Sequence, residues 1–148
     1  MNKEKNILAE VKVTYKRKRA KDDLLRKSVT DAEQVYRLFR DMQDETKEKL
    51  VCLHLNWQKE ILCYEVVAIG TSQSLLLDTP GVFRAAILTG ASSIILVHNH
   101  PLGKCTPSPE DDAVFARLTD AGKLLEINLL DFIVIGEDGY YSYDRRGK

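Results

Sequence analysis

The residues best suited to chemistry are His98 and His100, which lie two positions apart at the end of a short apolar run. Successive side chains of a strand point to opposite faces, so the spacing predicts both imidazoles on one face, roughly 6.5 Å apart along the chain. Asp111 is predicted in the first turn of the next helix, where the helix dipole favours a carboxylate. Two neutral imidazoles and one carboxylate on Zn²⁺ leave a net positive charge and a vacant position. These are the features of a catalytic zinc site.

A catalytic zinc site also needs a general base and a donor for the oxyanion. Ser108 precedes Asp111 by three residues and offers a hydroxyl hydrogen. Glu65 is a carboxylate in an otherwise apolar predicted strand, a setting that suits a general base. We therefore predict Glu65 as the base and Ser108 as the oxyanion donor.

The same residues also fit interpretations without a catalytic metal. A histidine pair at a strand end can be polar residues at a loop mouth, and Ser108 with Asp111 forms a helix capping box that needs no metal. Cys105 lies near the pair, and its thiolate could close the site as a fourth ligand of a structural zinc. We favour the open site because cysteine ligands of structural zinc normally come in pairs.

The elements that must position these residues alternate without a regular βαβ rhythm. A capping box at residues 30–33 predicts a helix over residues 31–44, and two further helices are predicted to begin at Asp78 and Ser108. Strands are predicted over residues 8–15, 50–55, 61–69, 93–97, 129–135 and 140–143. The pattern favours a mixed sheet flanked by helices, an α/β or α+β fold of the αβα sandwich type.

Composition and charge predict one folded domain behind a basic leader. The chain has 148 residues, 44% of them hydrophobic, which is enough for a single core. Its 22 basic and 22 acidic residues argue against a highly charged disordered chain and against a DNA-coating protein. Residues 1–28, which we call the leader, hold ten basic and four acidic side chains. The domain is predicted over residues 29–148.

The leader contains two features that could contact a partner. Its basic cluster could touch nucleic-acid phosphates and consists of Lys16, Arg17, Lys18, Arg19 and Lys21. We favour a solvated loop, because the cluster is short and has no interleaved aromatic residues. The predicted edge strand Leu8–Tyr15 leaves open a homodimer formed by strand pairing.

Targeting signals and membrane segments are not expected. No stretch of 18 apolar residues is present, and the N-terminal apolar run is too short for a secretory signal. The three cysteines are odd in number and not closely paired, so they predict no disulfide framework. We expect a cytoplasmic protein without membrane contact.

At these positions the chain resembles the JAMM (MPN+) zinc metalloproteases. The matching motif consists of an upstream Glu65 and then His98-x-His100-Pro101, Ser108 and Asp111. From about Lys49 to Tyr143 the sequence is most similar to the C-terminal domain of the RadC family. That family has a DNA-repair name and a poorly defined role.

The resemblance implies a fold, a cofactor and a reaction. It implies a cytidine-deaminase-like JAB/MPN fold, with zinc on His98, His100 and Asp111, Glu65 as general base and Ser108 at the oxyanion. JAMM relatives hydrolyse peptide or isopeptide bonds, so the implied partner is a peptide or an isopeptide-linked protein. Longer RadC relatives carry helix-hairpin-helix segments for which this sequence leaves no room, so a DNA-repair role loses support. The rival hypothesis is a non-catalytic module that binds protein or DNA, with a structural metal or none.

Overall fold

The protein is described here by a computed structural model that covers residues 6–19, 25, 27–70 and 78–144. No helix in these ranges is long and apolar enough to span a membrane.

A five-stranded mixed sheet forms the centre of the molecule. Its strands are β1 (Glu48–Leu55), β2 (Ile61–Gly70), β3 (Ser93–Asn99), β4 (Asn128–Gly136) and β5 (Gly139–Ser142). They lie in the order β2-β1-β3-β4-β5. β3 and β4 are parallel, and the other neighbouring strands are antiparallel. The predicted mixed sheet is therefore confirmed.

In the described part of the chain, three α-helices and the 3₁₀ helix that continues the first of them flank the sheet. They are α1 (Ala32–Phe39), which continues as a 3₁₀ helix (Arg40–Asp44), then α2 (Thr79–Leu88) and α3 (Pro109–Leu125). The first helix begins one residue later than predicted, because Asp31 rather than Thr30 is its N-cap and Gln34 completes the capping box. The third helix begins as predicted, with Ser108 as N-cap.

Two hydrophobic cores lie on opposite faces of the sheet. The first includes Phe83 of α2 and Leu118 of α3, together with alternate sheet residues such as Cys52. The second includes Val35 of α1 and Met42 of the 3₁₀ helix, together with the sheet residues that alternate along each strand with those of the first core. Because strand side chains alternate, each strand supplies both cores. The three layers confirm the predicted αβα sandwich.

The leader does not form the predicted edge strand over Leu8–Tyr15. Residues 7–19 have no regular secondary structure, and Leu8 and Val11 are 96% and 83% exposed. An alternating pattern alone cannot hold a strand, since a strand needs a hydrogen-bonded neighbour. The edge strands of the sheet are β2 and β5. Of the basic cluster, Lys21 lies outside the described residues.

A cavity of about 830 Å³ separates part of the leader from the sheet and the 3₁₀ helix. Its leader side is lined by residues 15–19, and its opposite wall includes Met42, Lys49 and Tyr64. Lys18 Nζ donates a hydrogen bond to the Tyr64 hydroxyl at 3.3 Å. The cationic leader therefore forms one wall of this cavity.

Candidate metal centre

The histidine pair lies where β3 ends. All seven residues of β3 are buried, and His98 is 2% exposed. His100 follows immediately after the strand and is partly exposed. The rings lie 5.1 Å apart, centroid to centroid, on the same side of the sheet. The structure thus brings the two imidazoles together, as their spacing predicts.

Backbone carbonyl groups fix the orientation of both rings. His98 Nδ1 lies 2.8 Å from the carbonyl oxygen of Lys49, and His100 Nδ1 lies 2.8 Å from that of Lys104. A carbonyl oxygen only accepts, so each Nδ1 must carry the hydrogen and donate it. In the neutral ring, each Nε2 therefore keeps its lone pair. This is the arrangement that metal-binding histidines use.

Asp111 faces both Nε2 atoms from the first turn of α3. Its Oδ2 lies 3.0 Å from His100 Nε2, and its Oδ1 lies 3.6 Å from His98 Nε2. Ser108 fixes this carboxylate, because its backbone N–H donates to Asp111 Oδ2 at 2.9 Å. In return, the Asp111 N–H donates to Ser108 Oγ at 3.1 Å. The four residues predicted from this stretch therefore converge in the structure.

The upstream carboxylate beside the histidines is Glu48. One ligand atom each of Glu48, His98 and His100 lies within 4.8 Å of the other two. Leu50 is the Cα partner of His98 in the β1–β3 ladder. Glu48 precedes Leu50 by two residues and so shares its face of the sheet. The alternation of side chains along the strand predicts that Glu48 shares a face with Leu50. Finding Glu48 beside the histidines also requires knowing that β1 and β3 are neighbours, which the sequence alone does not show.

Glu65, the predicted general base, does not lie with the histidines in the structure, and its role as base stays a prediction. Its Cα partner is Cys52 on β1, two residues beyond Leu50. Its side chain is exposed on β2, a strand that does not pair with β3. The apolar surroundings that suggested a buried carboxylate belong to a strand at the edge of the sheet. Besides Asp111, the carboxylate that lies beside the histidines in the described part of the chain is therefore Glu48.

Burial and hydrogen bonds shift the pKa values of the three central groups. Burial lowers the pKa of His98, so its ring favours the neutral form. The hydrogen bond with Asp111 raises the pKa of His100. Burial acts to raise the pKa of Asp111, but hydrogen bonds from His100 and from the Ser108 N–H lower it overall. Asp111 is therefore ionised at neutral pH.

The donor set fits a divalent metal ion. Neutral Nε2 of His100 and the Asp111 carboxylate both offer lone pairs across 3.0 Å, so a cation must lie between them. In the metal-free protein a proton on His100 fills that role, as its raised pKa indicates. Two imidazole nitrogens and a carboxylate are ligands that zinc accepts at an open site.

Cys105 is directed toward a different carboxylate. Its backbone N–H donates to Asp138 Oδ1 at 2.8 Å, and its side chain also hydrogen-bonds to Asp138. Together these bonds hold the pKa of Asp138 below its usual value. Among the described residues, the group of ligand atoms within 4.8 Å of one another consists of Glu48, His98 and His100, and it includes neither Cys105 nor Asp111. The hydrogen bonds to Asp138 therefore give no support to Cys105 as a fourth metal ligand.

The same loop approaches the end of β4 closely. A Cβ on Gly136 would lie within 3.0 Å of the backbone of Lys104 and Cys105. The loop is further held by the N–H of Glu137, which donates to the carbonyl of Gly103 at 2.8 Å. The missing side chain at Gly136 thus allows Lys104 to reach His100.

Comparisons with known proteins identify relatives of this sequence. The sequence model of a family described as RadC-like JAB domain matches residues 29–148. A UPF0758 protein of Methanosarcina mazei is 37% identical over 123 residues, which cover 82% of this chain and 54% of the relative. A UPF0758 protein of Chlorobium phaeovibrioides is 43% identical over 118 residues, covering 79% and 53%. The chain therefore spans about half the length of these curated relatives.

Proposed function

This chain belongs to the RadC-like JAB domain family, and we propose that it is a zinc-dependent hydrolase that cleaves a peptide or isopeptide bond. The observation that carries the proposal is the convergence of Nε2 of His98 and His100 on the Asp111 carboxylate. Backbone carbonyls occupy both Nδ1 atoms, so the metal-binding nitrogens are oriented in advance. Such preorganisation is typical of a metal site.

The proposed roles follow from the donor chemistry. His98, His100 and Asp111 would hold the zinc, which supplies Lewis acidity and acidifies a water molecule at its open position. Glu48 is the general base, since its half-buried carboxylate lies beside the histidines and can pass a proton on to the leaving amine. Ser108 Oγ accepts a hydrogen bond in the helix cap, so its own hydrogen remains to stabilise an oxyanion.

The deciding experiment compares Glu48→Gln with Glu65→Gln, the same substitution on an exposed strand. We expect both variants to fold and to hold zinc, measured by elemental analysis. Hydrolysis of a fluorogenic library of peptides and lysine isopeptides should fall roughly 10²-fold or more in Glu48→Gln only. Equal loss in both variants, or full activity in Glu48→Gln, contradicts the assignment of the base.

A second candidate function is a binding module for an acidic partner such as nucleic acid. It is favoured by one observation, the basic residues 16–19 along the wall of the 830 Å³ cavity. The names of the curated relatives state no reaction. A homodimer through Leu8–Tyr15 has less support, since that segment is not a strand in the structure. For either function we propose a cytoplasmic location, because the cysteine pattern of the sequence predicts no disulfide framework.

A further inference from the structure

The residue between the two histidines points to the opposite face of the sheet. Asn99 is fully buried and makes three hydrogen bonds through its side-chain amide. Its Oδ1 accepts from the Lys49 N–H at 2.7 Å. Its Nδ2 donates to the carbonyl of Met42 at 2.8 Å and to that of Lys47 at 3.1 Å. All of its partners are backbone groups on the 3₁₀ helix or at the start of β1.

These bonds hold the backbone on both sides of Glu48. The Lys47 carbonyl precedes Glu48 and the Lys49 N–H follows it, so the Asn99 amide binds the backbone on both sides of that residue. His98 adds a third bond in the same region, from Nδ1 to the Lys49 carbonyl. Two consecutive residues of β3 thus fix the backbone that presents the proposed base.

The ladder between β1 and β3 does not hold the backbone of Glu48. Pairing between β1 and β3 begins at Leu50 and His98, so Glu48 lies beyond the ladder on that side. Among the described residues, its ladder neighbour is Gly70 at the end of the edge strand β2. Backbone at a strand end frays readily unless other bonds hold it. The Asn99 side chain supplies bonds where the ladder has stopped.

We propose that Asn99 is a positioning residue that sets Glu48 against the histidine pair. The proposal rests on the role assigned to Glu48 above, and the residue type agrees with it. The site requires one acceptor for an N–H and two donors for carbonyls, which a carboxamide provides in one planar group. A carboxylate would turn an oxygen toward two carbonyl oxygens, and an aliphatic side chain would meet none of the three bonds.

Hydrogen exchange in the metal-free protein tests the hold on the backbone directly. In Asn99→Ala we expect the amide of Lys49 to exchange roughly tenfold faster than in wild type, as for the loss of one buried hydrogen bond. Val97→Ala is the matched control, because Val97 lies on the same strand and face and truncates to the same residue. An unchanged Lys49 rate, or equal acceleration in the control, overturns the proposal.

If Asn99→Ala does not fold, Asn99→Ser takes its place. Its hydroxyl can keep one of the three bonds, so we expect exchange at Lys49 between the wild-type rate and tenfold above it. A wild-type rate in this variant counts against the proposal as well.

The visible absorption spectrum of the Co²⁺-loaded protein tests whether Asn99 acts through Glu48. We expect Asn99→Ala to change the spectrum in the same direction as Glu48→Gln, and Val97→Ala to leave it as in wild type. The double variant of Asn99 and Glu48 should then match Glu48→Gln alone. Additive changes in the double variant mean that Asn99 acts by another route. Activity of Glu48→Gln would overturn the proposed function but leave the exchange result at Lys49 standing.

Discussion

Asp111 combines two tasks that place different demands on its side chain. As the third residue of the capping box it needs only an acceptor oxygen for the Ser108 N–H. As a metal ligand it needs negative charge facing two imidazoles. A substitution that keeps the oxygen and removes the charge therefore separates the tasks.

Asp111→Asn should retain the fold and lose the metal. Its amide oxygen can still accept from the Ser108 N–H, so we expect the melting temperature of the metal-free protein to change by only a few degrees. Zinc affinity should fall at least tenfold, because a neutral amide is a poor zinc ligand. Thermal melting and chelator competition measure the two quantities. Glu110→Gln, an exposed change in the same helical turn, should leave both unchanged.

The site could be predicted from the sequence where it is local and not where it depends on sheet order. His98, His100, Ser108 and Asp111 lie within one strand, loop and helix start, whose signals are short-range. Glu48 begins β1 inside the charged run 45–49, which looks like solvated surface. Only the antiparallel pairing of β1 with β3 brings it to the histidines. The apolar neighbours of Glu65 predict burial, but Tyr64, Glu65 and Val66 are all exposed on that edge strand.

At the level of elements, the approach of the 100–105 loop to β4 depends on Gly136. Gly136→Ala should push the loop away and withdraw the Lys104 carbonyl from His100 Nδ1. We expect zinc affinity to fall about 10- to 100-fold, the usual effect of losing an outer-shell partner. Gly103→Ala is the control, since its added Cβ meets nothing closer than 3.6 Å. Equal zinc affinity in Gly136→Ala and wild type would show that the loop has another way to hold His100.

The closing hairpin contains a buried carboxylate whose ionisation affects stability. Asp131 of β4 accepts hydrogen bonds from Phe132 N–H, Asp144 N–H and the Ser142 hydroxyl. Burial nevertheless raises its pKa above the ordinary value of 3.8. The folded state therefore binds the proton more tightly than the unfolded state does. The contribution of Asp131 to stability is greatest below pH 3.8 and declines as the pH rises through the folded value.

Asp131→Asn should remove this pH dependence. The amide keeps Oδ1 for the two N–H donors and turns a donor to the Ser142 oxygen, so the network persists. We expect the variant to be at least as stable as wild type at pH 7, with the difference shrinking toward pH 4. Urea denaturation across that pH range measures it. Asp131→Ala, which loses all three bonds, should be less stable at every pH.

At the scale of the whole molecule, the two cores lie within the domain and not in the leader. Val29 is the first core residue in the described part of the chain. Deletion of residues 1–19 should therefore leave zinc content unchanged and the melting temperature within about 4 °C, as for a loss of at most 1 kcal/mol. Weak binding to duplex DNA, measured by fluorescence anisotropy, should fall when residues 1–19 are removed, because they include four of the five residues of the basic cluster. Tight binding that falls steeply between about 50 and 200 mM salt and needs the leader would favour the binding module.

The layers of the fold were predictable for a reason that does not extend to the leader. Alternation in strands and helical spacing in α2 and α3 report which faces are buried, and the sandwich follows from them. The same alternation in Leu8–Tyr15 produced a strand prediction without a partner strand. A pattern of side chains predicts which face of a segment could be buried. Whether that face is buried depends on pairing of the segment with the sheet.

The backbone groups that Asn99 binds include Met42 and Lys49, and both residues also line the cavity beneath the leader. One amide thus links a chamber on one side of the sheet to the metal centre on the other. If Asn99 sets Glu48 as proposed, a molecule that enters this cavity and shifts the 3₁₀ helix would also change the affinity of the proposed metal centre. Such linkage is reciprocal, so the factor by which zinc changes the affinity of that effector equals the factor by which the effector changes the affinity of zinc.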